Sequence, residues 1–221
     1  MQPDLPPHES GVHILYADEA LVVLNKPAGL LAVPGRGADK QDCLSARVQS
    51  LYPDALVVHR LDMATSGLVV MARGAPAQRL LSEAFAQRQV HKRYVAVVSG
   101  QLAPTAGGWQ TIDLPILVDW PNRPRRMIDW QQGKASVTRW QVMQFDPEHH
   151  TTRVELEPVT GRTHQLRVHL QAIGHPILGD ALYAPPAVLA QAQRLLLHAC
   201  ALAFAHPVDG RALQFCCPAD F

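Results

Sequence analysis

Arg60 and Asp62 lie in a polar segment, residues 59–67, flanked by apolar runs at 56–58 and 68–72. Both runs are rich in β-branched residues and bounded by turn formers. They read as strands, which puts Asp62 on a loop fixed at both ends. A carboxylate beside a guanidinium stays ionised, because the cation favours its charged form. Such a group suits nucleophilic attack or proton abstraction better than acid donation. Cleavage of a glycosidic bond by acid and nucleophile would want a second carboxylate, and here the neighbourhood supplies arginine instead. The plain alternative is a polar connection closed by a local Arg60–Asp62 ion pair.

Basic residues cluster in three other places: Arg88 with His91, Lys92 and Arg93; Arg123 with Arg125 and Arg126; and Arg162 with Arg167. A solvated, salt-bridged surface is the default explanation. Yet Tyr94 and Trp120 sit in or beside two of the clusters, and cations for phosphates with aromatics for unstacked bases is the composition an RNA site needs. The formal net charge is only +1 over 221 residues, so any nucleic-acid contact must be local.

Eleven histidines raise the question of a metal. His164 and His169 are spaced to diverge on a helix, and His198 with Cys200 has no second pair to complete a ligand set. No metal is expected. Phosphate-loop, dinucleotide and nucleophile-elbow patterns are missing as well, so no cofactor is expected either. Cys43, Cys200, Cys216 and Cys217 form no C-x-x-C and read as free thiols of a reducing compartment. The chain shows no leader and no apolar run of membrane-spanning length. A soluble cytoplasmic protein is the expectation.

The elements that must position these groups are mostly strands. Residues 1–11 read as a loose arm, and 12–221 as one domain. Strands are expected at 12–16, 21–25, 92–98, 136–145, 151–157, 195–204 and 213–216, besides the two around the Asp62 loop. Helices are expected at about 43–52 with Asp42 as N-cap, at 77–89, at 163–173 and at 187–194. Residues 119–126 hold two prolines and cannot be regular structure. Successive strands are joined too tightly for parallel crossovers. This predicts an α+β fold with a large, mixed, mainly antiparallel sheet flanked by helices and loops.

Residues 59–62, His-Arg-Leu-Asp, followed by Thr65-Ser66-Gly67, resemble the signature of the RluA family of pseudouridine synthases. Other stretches match in order: Asn25-Lys26-Pro27-Ala28-Gly29, Lys92-Arg93-Tyr94, residues 160–169 (T-G-R-T-H-Q-L-R-V-H), residues 174–180 (G-H-P-I-L-G-D), and Leu197-His198-Ala199. As an ordered set over roughly 12–221 they are far more specific than any one motif. Residues 33–36 and 119–124 are similar to the branch acting on both large-subunit rRNA and the tRNA anticodon stem-loop. Many relatives carry an N-terminal S4 RNA-binding domain, and none fits before this pattern. Tyr183-Ala184, where many relatives have Tyr-Gly, is a small departure at a turn.

The resemblance implies the pseudouridine synthase fold with an RNA cleft, and isomerisation of loop uridines of 23S rRNA, the tRNA anticodon stem-loop or both. The C1′–N1 bond breaks, uracil rotates, and C5 joins C1′, with nothing oxidised or reduced. It assigns Asp62 as the catalytic carboxylate, Arg162 as its charge partner and Tyr94 to stack on the target uracil. Three roles stay open for Asp62: attack on C1′, addition to the base, or removal of the 2′ proton. Leu196 or Leu197 would line the uracil pocket. Arg60, with His59 beside it, would fill the stack vacated by a flipped nucleotide. Lys92, Arg93, Arg123, Arg125, Arg126 and Arg167 are further candidates for RNA contact. The partner would be RNA, not DNA or a membrane, and the protein a monomer. Two other functions would leave different traces: an RNA chaperone on the same fold, without turnover, and a nucleoside hydrolase, releasing free uracil.

Overall fold

A computed structural model describes residues 11–103 and 108–221. The expected arm at 1–11 therefore lies almost wholly outside the described residues. Twelve strands are found among those described, ten of them in one sheet. The chain divides into two compact units, one of residues up to Lys92 with Ala199–Asp220, the other of Arg93–His198 with Phe221.

In the first unit the strand order is β1 (His13–Ala17), β2 (Leu21–Lys26), β4 (Ser66–Arg73), β11 (Leu197–Ala205), with β3 (Ala55–Val57) also on β4 and β12 (Ala212–Cys216) on β11. β2 and β4 run antiparallel from Leu21↔Ala72 to Lys26↔Gly67. Every residue of β4 except Arg73 is buried, as expected of a central strand covered on both faces. Helix α2 (Ala75–Ala86) buries Ala77 and Leu81 against Leu68, Val70, Leu202 and Phe204. Helix α1 (Leu44–Leu51) starts after Cys43, without a side-chain cap. Asp42 was expected to cap it. Instead both carboxylate oxygens accept from Arg47, at 2.7 and 2.6 Å, an ion pair that competes with capping for the same lone pairs.

The second unit is ordered β5 (His91–Ser99), β10 (Thr151–Pro158), β9 (Val137–Asp146), β6 (Gln110–Asp113). β10 pairs antiparallel with both neighbours. A separate ribbon is formed by β7 (Ile116–Val118) and β8 (Arg126–Ile128). Helix α3 (Gln165–Ala172) is buried at every position from Gln165 to Leu170, so it has no polar face in its first turns. The short α4 spans Pro186–Leu189. The expected elements 187–194 and 163–173 are thus shorter than their apolar patterns. Among the described residues no helix is long and apolar enough to cross a membrane.

Candidate functional site

The trio singled out in sequence is divided between the units: Asp62 belongs to the first, Tyr94 and Arg162 to the second.

Two neighbours fix the Asp62 loop. Gly67 opens β4 at φ +111°, and a Cβ there would lie 2.3 Å from the Ala199 carbonyl oxygen. Only glycine lets the backbone of β4 approach that of β11 so closely. On the other side, Lys26 is fully buried at the end of β2. Its ammonium donates to the carbonyls of Pro27 (2.8 Å), Leu30 (2.8 Å) and Met63 (3.0 Å). Gly29 N–H also donates to Met63 O at 2.9 Å, and Thr65 N–H to Asp62 O at 3.1 Å. The Asn25-Lys26-Pro27-Ala28-Gly29 turn is therefore a clamp on the loop. Burial pulls the Lys26 pKa down to about 8, and the charge of Asp62 opposes that shift. The sequence marked this turn as a motif but gave Lys26 no role; a lysine in an apolar strand was the available signal.

Asp62 itself is half-buried, between buried Leu61 and exposed Met63. Arg60 is exposed. His59 turns inward: its Nε2 accepts from Val70 N–H at 3.1 Å, and its ring stacks on Phe85 with centroids 4.4 Å apart. Burial, with the charge of Lys92 second, drives its pKa down to about 3. Lys92 lies 5.9 Å over the Phe85 ring, its pKa lowered by burial.

In the second unit Tyr94 sits opposite Leu156 on β10. Arg93 points to the other face of β5, because successive side chains alternate. There it meets Glu157 at 2.9 Å, beside Arg139 at the same distance, and lies 4.4 Å over Trp109. The block at 160–169 is mostly scaffold. Gln165 accepts from Thr160 Oγ1 and Arg162 N–H and donates to Val137 O and Thr138 Oγ1. His169 bridges Thr138 Oγ1 and Leu114 O. Arg167 is buried and makes a two-pronged pair with Asp180, at 2.8 and 2.6 Å. What this scaffold presents is Arg162, exposed at the entry to α3, and His164, whose φ of 58° turns the chain into the helix.

Leu196 and Leu197 separate clearly. Leu197 is 3% exposed, whereas Leu196 is half-open and its backbone is held by Leu178 O and Val97 N–H. Gly179 permits that arrangement, since a Cβ there would lie 1.9 Å from Arg194 O. Arg123 and Arg125 are exposed on the β7–β8 connection, with Arg126 partly covered at the start of β8. Among the described residues no cluster of His, Cys, Asp or Glu is arranged to hold a metal.

Exposed arginines at the entry to α3 and on the β7–β8 connection suit a polyanionic ligand. The comparisons are more specific. Residues 20–172 match the family model described as RNA pseudouridylate synthase, and the chain belongs to that family of isomerases. It is 48% identical over 216 residues to the dual-specificity RNA pseudouridine synthase RluA of Escherichia coli K12, covering 98% of this chain and 97% of that protein. The RluA of Vibrio cholerae is 45% identical over 98% of this chain and 86% of its own. Among solved structures, human RNA pseudouridylate synthase domain containing 1 superposes with a TM-score of 0.78 at 28% identity, covering 98% of this chain and 87% of that one. The corresponding human domain containing 4 gives 0.72 at 28% identity, over 93% and 88%.

Proposed function

We propose that this enzyme converts specific loop uridines of 23S rRNA and of the tRNA anticodon stem-loop to pseudouridine, in the cytoplasm, as a monomer acting on RNA and not DNA. The observation that carries this reading is 48% identity across 98% of the chain to a dual-specificity synthase. Asp62 is the catalytic carboxylate. Arg162 balances its charge in the RNA-bound enzyme, Tyr94 stacks on the uracil, and half-open Leu196 lines its pocket. The target nucleotide is flipped out, at a cost of about a few kcal/mol that is lowest for loop positions, and Arg60 fills the vacated stack. Exposure of Arg60 and Arg162 supports their roles. The clamp on the Asp62 loop supports a carboxylate held in one place before substrate arrives, which is where positioning gains rate.

His59, Arg93 and Arg167 contribute indirectly, through the contacts that shape the loop, β5 and α3. Lys92, Arg123, Arg125 and Arg126 meet phosphates. Four free cysteines accord with a reducing compartment. The test is a map of pseudouridine in total RNA from cells with and without the gene. Sites in 23S rRNA and tRNA should vanish together and return with the wild-type gene but not with Asp62→Asn. Loss in only one RNA class would remove the dual specificity.

A further inference from the structure

The β7–β8 ribbon carries the two most exposed tryptophans described, Trp120 at 64% and Trp130 at 75%, with Met127 at 42%. An uncovered indole forgoes a large apolar contact area, so exposed tryptophans call for a partner. The ribbon is nevertheless well anchored. Ile116 and Ile128 pack on Val168 and Tyr183, and Tyr183 Oη accepts the Arg126 N–H at 2.8 Å. The connection is tied internally. Asp119 N–H donates to Arg125 O, Asn122 N–H to Asp119 O and Arg125 N–H to Asn122 O, while the Asp119 carboxylate holds the Asn122 amide. Beyond β8, Asp129 caps the N–H groups of Gln131 and Gln132.

On this frame the Arg123 guanidinium lies over the Trp120 ring, 4.4 Å from its centroid, and Nε donates to Trp120 O. Arg125 lies 5.6 Å over the Tyr183 ring. One side of the indole thus carries a cation while most of the residue stays open. Fixed geometry, an open aromatic plane and neighbouring guanidiniums fit a polyanion with flat, unpaired bases better than they fit an apolar protein surface.

We propose that Trp120, backed by Arg123, is a stacking platform for an unpaired base of the substrate RNA, at a position other than the isomerised uridine. This rests on the RNA substrate read above. Every base offers a π-face, so the platform adds affinity without reading sequence. That is the property needed by an enzyme whose RNA substrates differ outside the modified loop.

The experiment measures the dissociation constant of a fluorescein-labelled anticodon stem-loop by anisotropy, for wild type, Trp120→Ala and Trp120→Phe, with each loop nucleotide in turn made abasic. Trp120 is exposed, and matching thermal melts confirm that the variants fold. Stacking on an aromatic accounts for about fivefold to a hundredfold in affinity. Trp120→Ala should weaken binding by that factor and raise KM in parallel, and Trp120→Phe should restore most of it. One abasic position should weaken wild type but add nothing to Trp120→Ala. Equal affinity of wild type and Trp120→Ala overturns the platform, as does a loss with no coupling to any loop position, or a change in self-association instead of RNA affinity. Pseudouridine formation by wild type is scored in the same samples. Product without coupling defeats the platform alone, and coupling without product defeats the functional reading alone.

Discussion

Replacing Lys26 by Met should have an effect on stability that is small at neutral pH and grows as pH rises. The change removes an ammonium that serves three carbonyls. Met63 O keeps Gly29 N–H as a donor, so the Pro27 and Leu30 carbonyls carry the loss. Pro27 is exposed and Leu30 half-buried, so water reaches these acceptors in part and loss of the donor costs about 1 kcal/mol each, or about 2 together. Against this stands the burial of a charge. Burial pulls the Lys26 pKa down from its ordinary 10.5 to about 8, a shift worth roughly 3 kcal/mol. Between those two values the unfolded chain holds a proton that the folded protein has released, so the Lys26 contribution to stability increases with pH there. It is fully present above 10.5 and lost as pH falls through 8. Lys26→Met is therefore within about 1 kcal/mol of wild type at pH 7 and costs about 2 kcal/mol at pH 10.5. Urea unfolding of both proteins, compared pairwise from pH 7 to 10.5, measures it. A gap that stays flat or narrows with rising pH would refute the buried, charged clamp.

Other perturbations follow from the same geometry. Gly67→Ala places a Cβ against the Ala199 backbone at a positive φ, and should cost more than about 3 kcal/mol or prevent accumulation of folded protein, read by soluble yield and thermal melting. Arg167→Met strands Asp180 as a buried carboxylate and should cost about 3–5 kcal/mol by chemical denaturation. His59 has a folded pKa lowered from 6.5 to about 3. Its contribution is complete above 6.5 and declines toward 3, by up to about 1.4 kcal/mol per pH unit. His59→Gln should show a shallower loss of stability between pH 6 and 4, and the imidazole NMR shifts of wild-type His59 should not titrate in that range.

The fold class was readable because strands of β-branched residues, such as 68–72 and 92–98, are bounded by turn formers close enough together to force antiparallel pairing. The motifs were readable as an ordered set. Their internal division of labour was not. Within 160–169, Thr160, Gln165, Arg167 and His169 hold α3 while Arg162 is displayed. An amphipathic stripe cannot reveal this, because the first turns of α3 are buried all round and Arg167 finds Asp180 in a loop beyond the helix. Arg93 and Tyr94 stood together in sequence as RNA contacts, yet strand alternation sends Arg93 to the opposite face, toward Glu157 and Trp109. Asp42 had the right type and position for a cap and was claimed by Arg47. The Lys26 clamp needed three carbonyls from turns that no spacing rule connects.

The central claim is that a clamped Asp62 drives uridine isomerisation, and tritium release tests it most directly. Joining C5 to C1′ expels the C5 hydrogen, so RNA labelled with [5-³H]uridine loses tritium to water once per pseudouridine formed. Purified wild-type protein should release it from anticodon stem-loop RNA in step with product, without free uracil, while folded Asp62→Asn releases none. Equal release by the two proteins, or free uracil as the product of the wild type, would contradict the account.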